Sequence, residues 1–161
     1  MLCANESELR AELEPTARAA ATDNPVCVYR VFLADDHEEM LRTVALILPN
    51  EFHIIGVAED GQGVLKLVPE LVPDVLLIDI CMPRLNGIET VLRLKSSGCN
   101  AHVVFLTAHE DLDFVEAAMS AGIVGYVLKP YLCTDLVPAI RRVIDGNSFV
   151  SPSLSLRHGY Y

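Results

Sequence analysis

The chain has 161 residues, 52% of them apolar, and 22 acidic residues against 12 basic ones give it a net charge of −10. This length suits one domain with a well-buried core and is too short for two large ones. The negative charge repels phosphate backbones and anionic membranes, which argues against direct nucleic-acid or membrane binding. The five cysteines, at positions 3, 27, 81, 99 and 133, form no CxxC pair, so we expect neither a disulfide framework nor a zinc site.

The N-terminal stretch MLCANESELRAELE is acidic and polar and does not read as a signal peptide. No apolar run approaches the length of a membrane-spanning helix, and we expect a cytoplasmic protein. We interpret residues 1–26 as an extension with a short helix over 8–21, interrupted by Pro15. The expected organisation is therefore an extension over 1–26, one domain over 27–147 and a C-terminal tail over 148–161.

From residue 27 onward, apolar runs alternate with segments of helical periodicity. The run VCVYRVFLA predicts a strand that ends on Asp35 and Asp36, and VLLI predicts a strand, buried on both faces, that ends on Asp79. Further strands are predicted over 52–58, 102–107 and 123–128, and helices over 37–48, 62–71, 88–96, 108–121 and 134–145. Five such strand–helix units predict a parallel sheet with right-handed crossovers.

Four of the five predicted strands end on polar side chains at the same edge of the sheet, namely Asp35-Asp36, Asp79, Thr107 and Lys129. Ligands of open parallel sheets bind outside the carboxyl ends of the strands. Three carboxylates at one edge repel one another unless a cation lies among them, and hard oxygen ligands suit Mg²⁺. With a lysine and a threonine opposite, the site suits a phosphoryl group, and a carboxylate can attack phosphorus as a nucleophile.

Each of these residues also has an ordinary structural interpretation. Asp36 could cap the following helix, Asp79 could solvate a strand end, and Lys129 could be a solvated loop residue. Thr107 and Tyr126 are common strand residues, and only their place in the set favours a function. Two histidines, His37 and His109, lie near the predicted site without metal-ligand spacing, although His109 could influence the access of water.

Four motifs carry a family resemblance: ADDH at 34–37, LLIDICMPRLNGIE at 76–89, FLTA at 105–108 and GYVLKP at 125–130. Over residues 28–146 the sequence resembles the receiver domain of bacterial two-component response regulators. The resemblance implies an α/β fold, flavodoxin-like (βα)5, a doubly wound parallel sheet with strand order 2-1-3-4-5. The ADDH motif and the segment GNSFVSPS are similar to the NarL/FixJ class, whose complete members append a helix-turn-helix domain. Because no such domain precedes Tyr161, we do not expect direct DNA binding.

By this resemblance Asp79 is the phosphoacceptor. The implied Mg²⁺ ligands are Asp35, Asp36, Asp79 and the backbone carbonyl of Cys81. The resemblance also implies that Lys129 binds the phosphoryl group, with a cis peptide bond before Pro130, and that Thr107 and Tyr126 are the switch pair.

The implied partners are a histidine kinase or phosphotransfer protein, a downstream protein and a second copy of the chain in a phosphorylation-dependent homodimer. We expect the output surface on the fourth helix, fifth strand and fifth helix, with a face that includes Leu112, Val115, Tyr126, Arg141 and Arg142. A chain of this kind is a signalling module more than an enzyme, although it assists its own phosphorylation and dephosphorylation.

Three alternatives stay open. One is a phosphohydrolase with an aspartyl nucleophile, similar to haloacid-dehalogenase enzymes, but that class has a second aspartate where Cys81 stands. Another is a scaffold that is never phosphorylated, against which the complete set of polar residues argues. The third is a receiver fragment of a longer NarL/FixJ-type transcription regulator.

Overall fold

The computed structural model describes residues 27–158, so the helix expected over 8–21 lies outside the described residues. Strands and helices alternate along the chain as the sequence pattern predicts. The strands are β1 (Tyr29–Ala34), β2 (Phe52–Ala58), β3 (Val75–Asp79), β4 (His102–Thr107), β5 (Val124–Leu128) and β6 (Phe149–Val150). The α-helices are α1 (Glu38–Ile47), α2 (Gly61–Leu71), α3 (Gly87–Ser96), α4 (Leu112–Met119), α5 (Leu132–Ile144) and α6 (Pro152–His158).

All six strands are parallel, and their order across the sheet is β2-β1-β3-β4-β5-β6. The predicted flavodoxin-like order 2-1-3-4-5 is therefore confirmed, with one further strand added beside β5. Strand β3 lies at the centre, and all five of its residues are buried. Its unbroken apolar run has a physical reason, because a central parallel strand packs against helices on both faces.

Two hydrophobic clusters, one on each face of the sheet, form the core. Alternate residues of each strand enter opposite clusters, so Leu76 and Ile78 lie in one and Val75 and Leu77 in the other. The first cluster is covered by α2, α3, α4 and α6, and the second by α1 and α5. Within residues 27–158, no helix is long and apolar enough to cross a membrane.

Helix α4 begins at Leu112, four residues later than the sequence pattern predicts. The hydroxyl of Thr107 accepts a hydrogen bond from the His109 amide at 3.0 Å, and this bond holds the chain in a turn after β4. The Asp111 carboxylate then accepts from the Asp113 amide at 3.0 Å and so caps the helix. The residues between Thr107 and Leu112 consequently form a loop at the predicted site.

The segment after β5 also differs from the expectation. Residues Lys129–Tyr131 form a 3₁₀ turn, and α5 begins directly after it at Leu132 rather than at residue 134. The expectation of a cis peptide bond before Pro130 is wrong, since no peptide bond within residues 27–158 is cis. A trans proline near the start of a turn fits because its fixed φ suits helical backbone.

Residues 149–158, which lie in the segment expected as a C-terminal tail, form β6 and α6. Strand β6 pairs in parallel with β5 through Gly125 opposite Phe149 and Tyr126 opposite Val150. A run of two residues is too short to be recognised as a strand from its periodicity. The edge of β5, which would otherwise have unpaired backbone groups, is thus partly covered by the chain itself.

Candidate functional site

The site lies at the carboxyl edge of the sheet, where β1, β3, β4 and β5 end on polar residues. Asp79 is 3% exposed and both of its carboxylate oxygens are engaged. Its Oδ1 accepts a hydrogen bond from the Cys81 amide at 3.1 Å, and its Oδ2 accepts one from Lys129 Nζ at 3.0 Å. The carboxylate is therefore held in one orientation from two sides.

A tight turn after β3 places Asp79 at the end of its strand. The Gly87 amide donates to the Ile80 carbonyl at 2.8 Å, and a Cβ at Gly87 would collide with the Asp79 carbonyl oxygen. Asn86 accepts from the Glu89 amide at 2.8 Å and caps α3. The sequence pair Asn-Gly is needed here because only a residue without a side chain can pack so closely on the strand end.

At the end of β1, Asp35 is fully buried while Asp36 is partly exposed. Asp35 Oδ1 accepts a hydrogen bond from the His37 amide at 2.9 Å. Asp35 Oδ2 lies 2.7 Å from Lys129 Nζ but is not aligned for a hydrogen bond, so this buried oxygen has no hydrogen-bond partner among the described residues. The alternative role of Asp36 as a helix cap does not apply, because His37 occupies the cap position of α1 and no side chain caps it.

His37 is a member of the site that its sequence spacing did not indicate. Its Nδ1 lies 3.0 Å from Asp35 Oδ1 and 2.9 Å from Asp36 Oδ1. One potential ligand atom from each of Asp35, Asp36, His37 and Asp79 falls within 4.8 Å of the others. Direct adjacency to the aspartate pair in the motif ADDH is the signal that could have identified it.

This cluster has the donor set that a hard divalent cation requires. Three carboxylates converge, and the buried Oδ2 of Asp35 has no hydrogen-bond partner among the described residues, although Lys129 Nζ lies 2.7 Å away. Burial raises the pKa of the Asp79 carboxyl above its ordinary value, the Lys129 contact lowers it, and the charge of Asp35 raises it again. A further cation would lower the free energy of the ionised state, so the residues fit Mg²⁺. Cys81 is placed beside Asp79, while the role of its carbonyl as a ligand stays a prediction.

Lys129 joins the two buried carboxylates from the end of β5. Its side chain is only 14% exposed, and its Nζ contacts both Asp35 Oδ2 and Asp79 Oδ2. Burial by itself would lower the pKa of the ammonium group, but the contacts with Asp35 and Asp79 outweigh that effect and raise it. The lysine therefore stays charged between the two buried carboxylates.

Thr107 and Tyr126 lie on the neighbouring strands β4 and β5, two register positions apart, and both are completely buried. The Tyr126 hydroxyl donates to the His109 carbonyl at 3.0 Å, while the His109 amide donates to Thr107. Burial raises the pKa of Tyr126 to about 12, and the nearby Thr107 hydroxyl works against that rise. The loop after β4 thus connects the two predicted switch residues through one backbone unit.

The expected output face is wrong for two of its members, because Val115 and Tyr126 are buried rather than exposed. Val115 belongs to the face of α4 that packs on the sheet, and Tyr126 already points inward. Leu112 is half-buried, and the exposed Arg141 pairs with Glu51 at 2.8 Å.

A second ion pair connects the loop after β3 with α2. Arg84 Nη1 lies 2.6 Å from Asp60 Oδ2, and the other oxygen of Asp60 accepts from the Gly63 amide at 2.7 Å as the cap of α2. Arg84 has a positive φ of 68°, which is uncommon for a residue with a side chain. Residues so far apart in sequence carry no local signal of this contact.

The sequence matches a known protein family. Residues 31–141 match the model of the response regulator receiver domain, and the chain belongs to this family. Receiver domains of this family are signalling domains and generally bind Mg²⁺ at an acidic pocket.

Among curated relatives, the chain is 31% identical to the transcriptional regulatory protein DegU of Brevibacillus brevis and 34% identical to the response regulator GacA of Pseudomonas aeruginosa. Each alignment covers 78% of this chain, but only 54% of DegU and 60% of GacA. The chain therefore spans little more than half the length of these relatives. Among solved structures, the isolated receiver domain of RcsB from Salmonella enterica serovar Typhimurium matches with a TM-score of 0.73 and 27% identity, covering 80% of this chain and 96% of that one.

Proposed function

We propose that this chain is a phosphorylation switch in which Asp79 accepts a phosphoryl group from a histidine kinase or phosphotransfer protein in a Mg²⁺-dependent reaction. One observation supports the proposal above all. At the carboxyl edge of the sheet, Lys129 Nζ lies 2.7 Å from Asp35 Oδ2 and 3.0 Å from Asp79 Oδ2. An Asp79 oxygen attacks phosphorus, a P–O bond forms, and the P–N bond to the phosphohistidine imidazole breaks. The product is an aspartyl phosphate.

Each residue of the site has a separate role in this proposal. Asp35, Asp36, Asp79 and the Cys81 carbonyl would hold Mg²⁺, which when bound neutralises oxygens of the phosphoryl group. Lys129 is positioned to pair with another of these oxygens once the group is attached to Asp79. Thr107 would donate its hydroxyl to the phosphoryl group.

The test of the phosphoacceptor uses a small acyl phosphate as donor, with Mg²⁺, and intact-mass measurement as the readout. We expect one phosphoryl adduct on the wild type and none on Asp79→Asn. The exposed Asp74→Asn variant is the control, and it should give the wild-type adduct. A full-strength adduct on Asp79→Asn would show that another residue is the acceptor.

Mg²⁺ binding is tested separately from phosphorylation. Because a ligand that binds the native state stabilises it, Mg²⁺ should raise the melting temperature of the wild type by an amount that grows with its concentration. Asp36→Ala should lose this response, and Asp145→Ala, at the exposed end of α5, should keep it. An undiminished response in Asp36→Ala would move the metal site elsewhere.

A second candidate is that the switch controls transcription as the receiver part of a longer NarL/FixJ-type protein. The length of the curated relatives favours this, since the match covers 54% of DegU, which is named a transcriptional regulatory protein. Mass spectrometry of the endogenous protein tests it, because peptides that continue past Tyr161 would be found. An endogenous mass equal to that of this chain would exclude it and leave a protein partner or a homodimer as the output.

A further inference from the structure

The residues that follow α5 return along the outer edge of β5 and cover it. We use the name C-terminal strap for residues 149–156. Strand β6 contributes the pairing of Tyr126 with Val150, and the Ser151 amide then donates to the Tyr126 carbonyl at 2.9 Å. The strap is therefore attached to the backbone of the predicted switch tyrosine itself.

A buried polar contact holds the strap where β6 ends. Ser151 is completely buried, and its hydroxyl donates to Asp135 Oδ2 at 2.7 Å while accepting from the Leu128 amide at 3.0 Å. The other oxygen of Asp135 accepts from Thr134 at 2.9 Å. Loss of the Ser151 hydroxyl would leave the buried Leu128 amide and an oxygen of Asp135 without this hydrogen-bond partner. Buried polar groups without a partner are costly, so this contact favours the attached position of the strap.

The apolar side of the strap packs into the cluster that contains Tyr126. Leu154 is 1% exposed, and Val150 packs against the same cluster, which also includes Val115 and Ala118 of α4. Phe149, one residue earlier, packs into the cluster on the opposite face. The strap thus inserts side chains on both sides of the sheet.

Tyr126 is enclosed by these contacts. Its ring is fully buried, its hydroxyl donates to the His109 carbonyl, and its carbonyl accepts from Ser151 of the strap. It also shares a hydrophobic cluster with Val150 and Leu154 of the strap. A buried tyrosine can leave a close-packed core only if the side chains that cover it move. With the strap in place, the inward orientation of Tyr126 is retained.

We propose that the C-terminal strap positions Tyr126 inward, so that attachment of the strap and occupation of the phosphoryl site favour one another. Ser151 and Leu154 act as positioning residues for the switch. The coupling to the phosphoryl site rests on the proposed function, whereas the positioning of Tyr126 by the strap does not. A phosphoryl group that draws Thr107 toward Asp79 leaves space for an inward tyrosine. Coupling between two binding equilibria is reciprocal. If occupation of the phosphoryl site favours attachment of the strap by a given factor, detachment of the strap must weaken binding at the phosphoryl site by the same factor.

The first measurement follows Tyr126 without any ligand, by nitration of tyrosines with tetranitromethane and peptide mass spectrometry. Ser151→Ala and Leu154→Ala should make Tyr126 react faster than in the wild type, because each removes one attachment of the strap. Each has a matched control within the strap, namely Ser155→Ala and Leu156→Ala, where Leu156 is 88% exposed. The controls should leave Tyr126 protected, and circular dichroism should show that all four variants are folded.

The second measurement is the affinity for beryllofluoride with Mg²⁺, determined by calorimetry. We expect Ser151→Ala and Leu154→Ala to bind about five-fold or more weakly, the lower end of typical coupling between sites, and the two controls to bind as the wild type does. A merely structural strap would change nitration and leave the affinity unaltered, and this result would overturn the coupling. Equal nitration of Tyr126 in all variants would overturn the positioning role.

Failure of the proposed function has a different signature. If the wild type did not bind beryllofluoride at all, Asp79 would lose its role as phosphoacceptor. The nitration rates of Ser151→Ala and Ser155→Ala would still decide whether the strap positions Tyr126, because that measurement needs no phosphoryl group.

Discussion

At the scale of single residues, the site is a balance of buried charges around Lys129. Two carboxylates that are almost without solvent, Asp35 and Asp79, share this ammonium group. A buried charge is costly unless it is paired, so removing the shared partner leaves both carboxylates uncompensated. The same arrangement that prepares the site for an anion also makes the fold dependent on one lysine.

We predict that Lys129→Met lowers the free energy of unfolding by about 3–5 kcal/mol at pH 8, as expected when one partner of a buried ion pair is removed. The loss should shrink toward pH 4. The pKa of Asp79 is raised in the folded state, so the Asp79 carboxyl contributes stability at low pH, and this stability is lost as the pH rises. Because Lys129 lowers this pKa, its removal raises the pKa further and makes the loss of stability at high pH larger. Urea unfolding at several pH values measures it.

Lys66→Met, at an exposed position on α2, serves as the matched control and should change stability little at any pH. A cost for Lys129→Met that did not depend on pH would mean that the ion pairs contribute less than the packing of the lysine side chain.

His37 illustrates how a neighbouring residue can be overlooked. Its ring nitrogen lies between the oxygens of Asp35 and Asp36, although it was set aside for lack of metal-ligand spacing. Spacing rules describe ligands that lie on one helix face or in one loop, whereas here the chain turns sharply after β1 and brings consecutive residues together.

At the scale of elements, the turn between β3 and α3 holds the end of the strand that carries Asp79, the proposed phosphoacceptor. The glycine at position 87 lies against the Asp79 carbonyl and the Ile80 backbone, and Asn86 begins the helix at the same place. The turn, the helix cap and the strand end are thus one unit. A change in any of them is transmitted to the carboxylate of Asp79.

We predict that Gly87→Ala is destabilising by about 1–3 kcal/mol, the usual cost of overpacking, because its Cβ would meet backbone atoms that cannot move aside. The variant should also take a phosphoryl group from an acyl phosphate more slowly than the wild type. Thermal unfolding and the rate of adduct formation are the measurements.

Gly63→Ala in the first turn of α2 is the control, since its Cβ would meet side-chain atoms only, Ala58 Cβ at 3.3 Å and Asp60 Oδ1 at 3.5 Å. If Gly87→Ala were as stable and as reactive as Gly63→Ala, the close packing of the turn on Asp79 would have no functional importance.

At the scale of the whole molecule, the site is connected to α4 and β5 through the loop that follows β4. Thr107 contacts the loop that leads into α4, and Tyr126 contacts the same loop from β5. The inward orientation of Tyr126 means that a signal need not rotate this ring into the core. It has to shift the population between this arrangement and others.

We predict that beryllofluoride, with Mg²⁺, changes the NMR amide shifts of α4 and Tyr126 as well as those around Asp79. Thr107→Ala should bind beryllofluoride but show smaller changes at α4, because the hydroxyl that connects the two regions is gone. Thr90→Ala, a buried threonine of α3, is the control and should retain the distant changes. Changes confined to the surroundings of Asp79 in the wild type would exclude this route.

Much of the architecture could be predicted from the sequence because its signals are local. The strands β2 and β4 have the predicted bounds, and the continuous apolar run of β3 marks a central strand. Helix α4 was predicted too long because its apolar periodicity extends into residues that Thr107 and Asp111 hold in a loop. Strand β6 has two residues, and its pairing depends entirely on the neighbouring edge of β5.

The sequence by itself determined which strands end on polar residues, and since parallel strands end at a common edge, it brought Asp35, Asp36, Asp79, Thr107 and Lys129 to one place. Only the tertiary structure decided that Lys129 reaches two carboxylates and that His37 joins the cluster. It also decided that Tyr126 lies inward, in the hydrophobic cluster that Val150 and Leu154 enter. The physical reason is the different distance along the chain over which these interactions act. Periodicity and turn chemistry act over a few neighbouring residues, whereas ion pairs, burial and strand edges depend on side chains that are far apart in the chain and meet only when the sheet has formed.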